Sequence, residues 1–387
     1  MALIYRGIIR SISGLLSERP VVLVQGPPRC GLSTIARQLA AGSPAGAVLA
    51  DARLLEGRAI LAAPGDQSAA RPIILDNAGP SDAAELSDWA GRIRRNGGQI
   101  GLTPRFVLVG GPFDADGAIP VLEAGPFNLF EAGRASTRRL WLRGGYPEAY
   151  GAASDEAAAE WLECHAADLA YGALASSGLP REPRLIAGLL EAVAATHGDG
   201  LNENAVARAL GISRPTVVRY VGLLERAGIL FSVPSLPVAL PSVARSTRSR
   251  ALYVRDSGLL HALVGIRSPD DLAMKPGLAA ASWAGFVVEQ AREGLPPGVA
   301  LYRYASADGA ALDLVATKNG KPFLAAAARR HRPTSVERSI SYAARAILGD
   351  GGSRDRLIVA PDGDGAALTG GFAVTNLGAF LDRLAGA

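Results

Sequence analysis

The residues best suited to chemistry in this sequence lie in Gly26-Pro27-Pro28-Arg29-Cys30-Gly31-Leu32-Ser33-Thr34. The spacing is G-x-x-x-x-G-x-S, set between the β-branched run Val21-Val22-Leu23-Val24 and the helix-forming segment Ile35-Ala36-Arg37-Gln38-Leu39. A turn in that context brings backbone amides and a helix N-terminus onto one anion, so it reads as a phosphate-binding loop. Gly26, Arg29, Gly31, Ser33 and Thr34 are the candidate contacts to a nucleotide. Leu32 stands where a lysine would reach the terminal phosphates. The second candidate is Asp76, at the tip of Ile73-Ile74-Leu75-Asp76-Asn77. A carboxylate there suits a Mg²⁺ ion shared with Ser33, or alternatively caps the next turn. Asn77 follows where a glutamate would polarise water, and an amide does not accept a proton as a carboxylate does.

These residues predict weak binding of ATP or ADP with Mg²⁺, negligible hydrolysis and no catalytic side chain. The contrary reading is an active site with a non-standard loop, in which Arg29 supplies the missing charge.

A second constellation runs from Leu201 to Leu230. A short helix ends at Leu210, Gly211 permits a tight turn, and Ser213 caps a second helix with Pro215 in its first turn. Val217, Val221 and Leu224 are expected inside, with Arg214, Thr216, Arg219 and Tyr220 outside. An extended segment, Ile229–Val233, follows as a wing would. This is a helix-turn-helix pattern. Arg214, Thr216 and Arg219 are the candidate DNA contacts, and a protein partner is the alternative. Arg245-Ser246-Thr247-Arg248-Ser249-Arg250 is a basic stretch suited to phosphates or to solvent.

A third set is Glu289 on a helix, Asp313 on a strand, and the strand Phe323–Ala326. Two acids and an E-x-K would hold a metal and activate water for nuclease chemistry. Leu324-Ala325-Ala326-Ala327 offers neither acid nor lysine, so cleavage is not expected.

The elements that must position these residues alternate. The sequence predicts an amphipathic helix over 3–17, then apolar strands at Val21–Val24, Ala47–Ala50, Ile73–Leu75, Phe106–Val109 and Val121–Leu122, separated by helical segments. Such alternation implies an α/β layer with a parallel sheet covered on both faces. Residues 155–195 read as helical, and from about 280 strands and helices alternate again.

At 387 residues, 49% hydrophobic and 20% charged, the chain can bury several cores and is not a disordered one. A net charge of +4 is compatible with an acidic partner but small for this length. Two cysteines, Cys30 and Cys164, and four scattered histidines argue against a disulfide framework and a zinc site. Arg6 and Arg10 interrupt the apolar N-terminus before a signal-peptide core could form, and no run is long enough for a spanning helix, so a cytoplasmic protein is expected.

Taken in order, Gly26 to Thr34, Leu75-Asp76, Leu142-Arg143-Gly144-Gly145-Tyr146-Pro147-Glu148, Leu210 to Glu225, Tyr253 with Asp256-Ser257-Gly258-Leu259, and Asp313 resemble a prokaryotic family of AAA-type P-loop ATPases. The resemblance implies a P-loop domain over 1–135, a helical and winged-helix domain over 136–265, and a restriction-endonuclease-like α/β domain over 266–387. It also implies nucleotide as ligand and Arg143 as either a finger toward a neighbour's nucleotide or a loop anchor. The chain departs from the family at Leu32, at Asn77, at Gly110-Gly111, where a hydroxyl would sense the γ-phosphate, and at Ala325-Ala326-Ala327.

Overall fold

The computed structural model describes residues 4–95, 103–113, 119–237, 250–306, 310–349, 355–368 and 370–386. Five apolar segments form a wholly parallel sheet: β1 (Val21–Gln25), β2 (Val48–Asp51), β3 (Ile73–Ala78), β4 (Phe106–Gly110) and β5 (Val121–Glu123), in the order β2-β3-β4-β1-β5. The near-continuous apolar character of β1, β4 and the first half of β3 has a direct cause, because both faces of the sheet are covered there. Val22, Val24, Ile74, Val107 and Val109 face α1 (Ile8–Glu18) and α2 (Leu32–Ala41). Val21, Leu23, Ile73, Leu75, Phe106 and Leu108 face α3 (Leu55–Ala62) and α4 (Pro80–Arg95).

Two boundaries differ from expectation for local reasons. The first helix begins at Ile8, later than the pattern predicts, since Arg6 turns inward and the Gly7 amide donates to Glu131 Oε1 at 2.8 Å. Strand β3 continues past Asp76 to Ala78 through a register shift against β4.

The chain then becomes helical. The helices are α5 (Leu129–Ala132), α6 (Thr137–Arg143), α7 (Pro147–Tyr150), α8 (Asp155–Asp168), α9 (Pro183–Ala195), α10 (Glu203–Leu210) and α11 (Arg214–Arg226). Gly211, at φ 68°, makes the turn between the last two, and the Ser213 hydroxyl accepts from the Thr216 amide. An antiparallel pair, β6 (Leu230–Val233) and β7 (Ala251–Val254), follows and leads to α12 (Ser257–Leu263). The expected outward Tyr220 is corrected: only 7% exposed, it packs with Val217, Val221 and Leu224 because its ring falls on the inner stripe of α11. The basic stretch before Arg250 lies outside the described residues. One apolar cluster runs without a break from Val22 and Val24 of the parallel sheet into α8, α9, α11 and α12.

The remainder comprises α13 (Pro269–Met274), α14 (Pro276–Glu293), β8 (Val299–Ala305), β9 (Ala311–Lys318), β10 (Lys321–Ala328), α15 (Arg338–Leu348), β11 (Arg356–Val359), β12 (Asp364–Leu368), β13 (Phe372–Thr375) and α16 (Leu377–Ala385). Its mixed sheet has the order β12-β13-β11-β10-β9-β8. Ala326 and Ala328 face α14 and α16, and Ala325 and Ala327 face α15, so the alanines of β10 fill two opposed cores. Among the described residues no helix is long and apolar enough to cross a membrane.

Candidate functional site

The loop after β1 adopts the turn its spacing requires. Arg29 (φ 67°) and Gly31 (φ 98°) are left-handed, the Cys30 amide donates to Pro27 O at 3.2 Å, and the Thr34 and Ile35 amides donate to Gly31 O at 3.0 Å. Gly26 is obligatory, since a Cβ there would lie 2.3 Å from Ala124 O and 2.8 Å from Cys30 Sγ. Leu32 and Ser33 open α2, so their amides have no intrahelical acceptor and sit at the positive end of the helix dipole. Burial pushes the Cys30 thiol up to about 11, leaving it unreactive at neutral pH.

The other predicted residues are placed by contacts outside the loop. Leu32 packs its half-buried side chain against the main apolar cluster. The Arg29 guanidinium lies 3.7 Å from Glu148 and 5.4 Å from the Trp161 ring centroid, directed to α7 and α8. Ser33 and Thr34 are half-buried. Asp76 is level with Val109 of β4, which is level with Val24 of β1, so it stands two strands from the loop's own strand, about 10 Å away at ordinary strand spacing. Its Oδ1 accepts from the Asn77 amide at 2.9 Å.

Asn77 itself is turned away from the loop's strand. It sits at φ 57°, and its Nδ2 donates to Asp51 Oδ2 at 2.8 Å, on the edge strand β2. Hydrogen bonds from Arg53 hold the Asp51 carboxyl well below the usual carboxylate range, so that acceptor stays ionised. The bulge also seats Ala78 against Gly110, where a Cβ would lie 2.1 Å from Ala78 O. Gly111, at φ 99°, would place a Cβ 2.8 Å from that of Gln25. Neither position admits a hydroxyl-bearing side chain without rearrangement.

Two buried arginines that pattern reading did not place in the site organise the surroundings. Arg6, 3% exposed, donates from Nη1 to Cys30 O at 2.8 Å, from Nη2 to Gly125 O at 2.6 Å and from Nε to Glu131 at 3.0 Å. It also lines a cleft of about 640 Å³ between the start of α1, the end of β5 and α5, whose walls include the half-exposed rings of Tyr5 and Phe130. Arg255, after β7, donates from Nε to Glu289 and from Nη2 to Glu293, both at 2.7 Å, with Glu123 of β5 at 3.8 Å. Burial opposes its charge, but Glu289 and Glu293 outweigh that and raise its pKa further. A Cβ on Gly228 would meet Pro27 Cδ at 2.9 Å and Arg255 Nη1 at 3.2 Å, so this buried cation lies beside the loop.

Asp256 explains the Leu142–Glu148 signature. Its Oδ2 accepts from the Gly145 amide at 2.7 Å and its Oδ1 from the Leu259 amide at 2.8 Å, capping α12. Gly144 must lack a side chain, since its Cβ would lie 2.0 Å from Asp256 Oδ1. Burial raises the Asp256 carboxyl to about 6. The recurring G-G and D-S-G spacings were the available signal, whereas nothing in the sequence marks Arg6 or Arg255 as buried. The Arg143 guanidinium donates to Asp155 at 2.5 Å and to Ala152 O at 2.7 Å.

Elsewhere, Arg214, Thr216 and Arg219 all lie on α11. Glu289 and Asp313 have separate partners: Glu289 binds Arg255 and Arg292, whereas Asp313 accepts from the Ala328 amide at 2.8 Å and lies 3.5 Å from Arg329. Among the described residues no cluster of three or more His, Cys, Asp or Glu is placed to hold a metal ion. Three histidines are buried. His165 lies against Tyr146 and Trp161 with neither ring nitrogen partnered among the described residues, His197 Nδ1 accepts from the Val254 amide, and His261 bridges Leu142 O and Ser282 Oγ.

A family described as a domain of unknown function (DUF8612) matches residues 134–270, which carry α6 to α12 and the β6–β7 pair. Uncharacterized proteins of Mycobacterium tuberculosis and Mycobacterium bovis are each 28% identical over 342 residues, covering 85% of this chain and 74% of theirs. Among solved structures, the Thermotoga maritima RuvB Holliday junction branch migration motor aligns at 15% identity and a TM-score of 0.28, over 67% of this chain and 95% of that one. A point mutant of that RuvB aligns at 16% and 0.29, over 69% and 97%. A likeness so slight carries no argument about function.

Proposed function

We propose that this chain binds a nucleotide at the Gly26–Thr34 loop and does not turn it over. The observation that supports this is the contrast within one site. The loop and the helix-opening amides of Leu32 and Ser33 support an anion site, while Leu32, Asn77 and Gly111 are each committed to contacts that exclude the groups hydrolysis needs. Phosphates would rest on those amides, and the cleft beside Arg6 offers Tyr5 and Phe130 to the nucleoside. Ser33 Oγ suits a Mg²⁺ that takes most of its oxygens from phosphate and water, with Asp76 acting on the ion directly or through water. The reading goes with an AAA-like first part (1–135), a helical and winged-helix middle part (136–265), an endonuclease-like but non-cleaving last part (266–387), and a cytoplasmic location.

Calorimetric titration with ATP and with ADP, with and without Mg²⁺, tests it. Binding of both nucleotides without phosphate release is expected. No binding at millimolar nucleotide would leave an interaction scaffold, and Mg²⁺-dependent hydrolysis lost in Asp76→Ala would overturn the inactive reading in favour of an active site served by Arg29.

A second expected result concerns restoration. Leu32→Lys combined with Asn77→Glu is expected to leave phosphate release at background. Glutamate at position 77 would face the Asp51 carboxylate from a left-handed backbone that asparagine tolerates but that costs most other residues about 1–2 kcal/mol. Urea denaturation should show that loss of stability, and appreciable turnover would refute the geometry claimed for Asn77.

A further inference from the structure

The nucleotide reading leaves the surface of α10 and α11 without a role. Arg208, Arg214, Arg219 and Arg226 are all exposed there. The acids beside them are already engaged, Glu203 with Arg214 at 2.7 Å and Glu225 with Arg250 at 2.8 Å. Successive helix residues turn by about 100°. On that wheel Pro215, Arg219, Gly222 and Arg226 form one stripe opposite the buried Val217, Tyr220, Val221 and Leu224. Arg219 and Arg226 are then separated by about 10 Å along the axis, with Gly222 between them. A Cβ on Gly222 would meet nothing within 4 Å, so the helix backbone itself is open to close approach.

We propose that this stripe of α11 docks against duplex DNA, with Arg219 and Arg226 contacting successive backbone phosphates along the groove. The charge is complementary, and an α-helix of about 10–12 Å diameter fits a major groove of about 12 Å. The structure also shifts the emphasis among the sequence candidates. Arg214 pairs with Glu203 and Thr216 Oγ1 lies 2.8 Å from Ser213 Oγ inside the helix cap, while the Arg219 guanidinium lies 5.0 Å from the Tyr220 ring centroid, a stacking contact that does not use its N–H donors.

Fluorescence anisotropy of a labelled mixed-sequence duplex, on the full chain without nucleotide and at salt from about 50 to 200 mM, tests this independently of nucleotide binding. Wild type should bind with a negative slope of log affinity against log salt. Arg219→Ala with Arg226→Ala should weaken binding about tenfold or more and flatten the slope by about 1.8, two phosphate contacts' worth. Lysine at both positions should restore the slope. Gly222→Glu should give a comparable loss while the melting temperature holds, because the new side chain enters open space. An unchanged slope in the double alanine variant, no duplex binding by wild type at the lowest salt, or tighter binding to single-stranded than to duplex probes would each overturn the proposal.

Discussion

Arg255→Met is expected to lower the free energy of unfolding by about 3–5 kcal/mol at neutral pH, the range for removing one partner of a buried ion pair. The cost arises from what stays behind. Glu289 is 6% exposed, and its carboxylate and that of Glu293 both take 2.7 Å hydrogen bonds from this one guanidinium. Arg292 reaches Glu289 at 3.0 Å and Glu293 at 3.5 Å but is itself nearer the surface, so it screens only part of the loss. Arg255→Lys should recover little, since a point charge cannot serve two carboxylates in a planar fork. Adding Glu289→Gln and Glu293→Gln to the methionine variant should recover part of it, because the two stranded carboxylates are then gone while Arg292 keeps only Glu123 at 3.7 Å. Equilibrium urea denaturation of the four proteins measures this. A loss under about 1 kcal/mol for Arg255→Met would mean that the cluster behaves as a solvated surface network.

Acidification should destabilise the protein well before ordinary carboxylates titrate. Burial lowers His165 and His261 from 6.5 to about 4, and His197 to about 3. At pH 7 all three are neutral in both folded and unfolded chains. As pH falls below 6.5 the unfolded chain binds protons that the folded one refuses, so stability drops, by about 2 kcal/mol per histidine at pH 5. Asp256 acts in the opposite sense. Burial raises it from 3.8 to about 6, so the folded chain gains a proton first and regains about 1.4 kcal/mol by pH 5. Asp313, raised chiefly by burial, adds in the same direction. The net expectation is a fall of about 3–5 kcal/mol between pH 7 and pH 5. Urea midpoints across that range provide the measurement, and a flat profile would mean that these imidazoles take up protons in the folded state.

What could be read from the sequence was whatever depends on local periodicity. The parallel strands, the loop at Gly26–Thr34 and the tight turn at Gly211 each follow from residue types within a few positions of one another. The site's actual state depended on contacts from far along the chain. Asn77 reads as a lost base, but only the structure shows its amide bonded across strands to Asp51, with the resulting bulge seating Ala78 against Gly110. Arg29 reads as a spare charge near the phosphates, yet Glu148 and Trp161, more than a hundred residues later, decide where it points. Tyr220 was misplaced because α11 buries a wider stripe than three aliphatic positions predict, and a phenol ring can sit at its margin. Arg6 and Arg255 were invisible for the same reason, since an arginine with satisfied donors deep in a junction has no signature in one dimension.

The unbroken apolar cluster shared by the parallel sheet and the later helices has a consequence during synthesis. Val22, Val24 and Val109 belong to the same core as Leu259 and Leu260. With ribosomes adding roughly 5–20 residues per second, the interval between Val109 and Leu260 lasts on the order of ten seconds. Throughout it that shared core lacks the side chains of α12 that complete it.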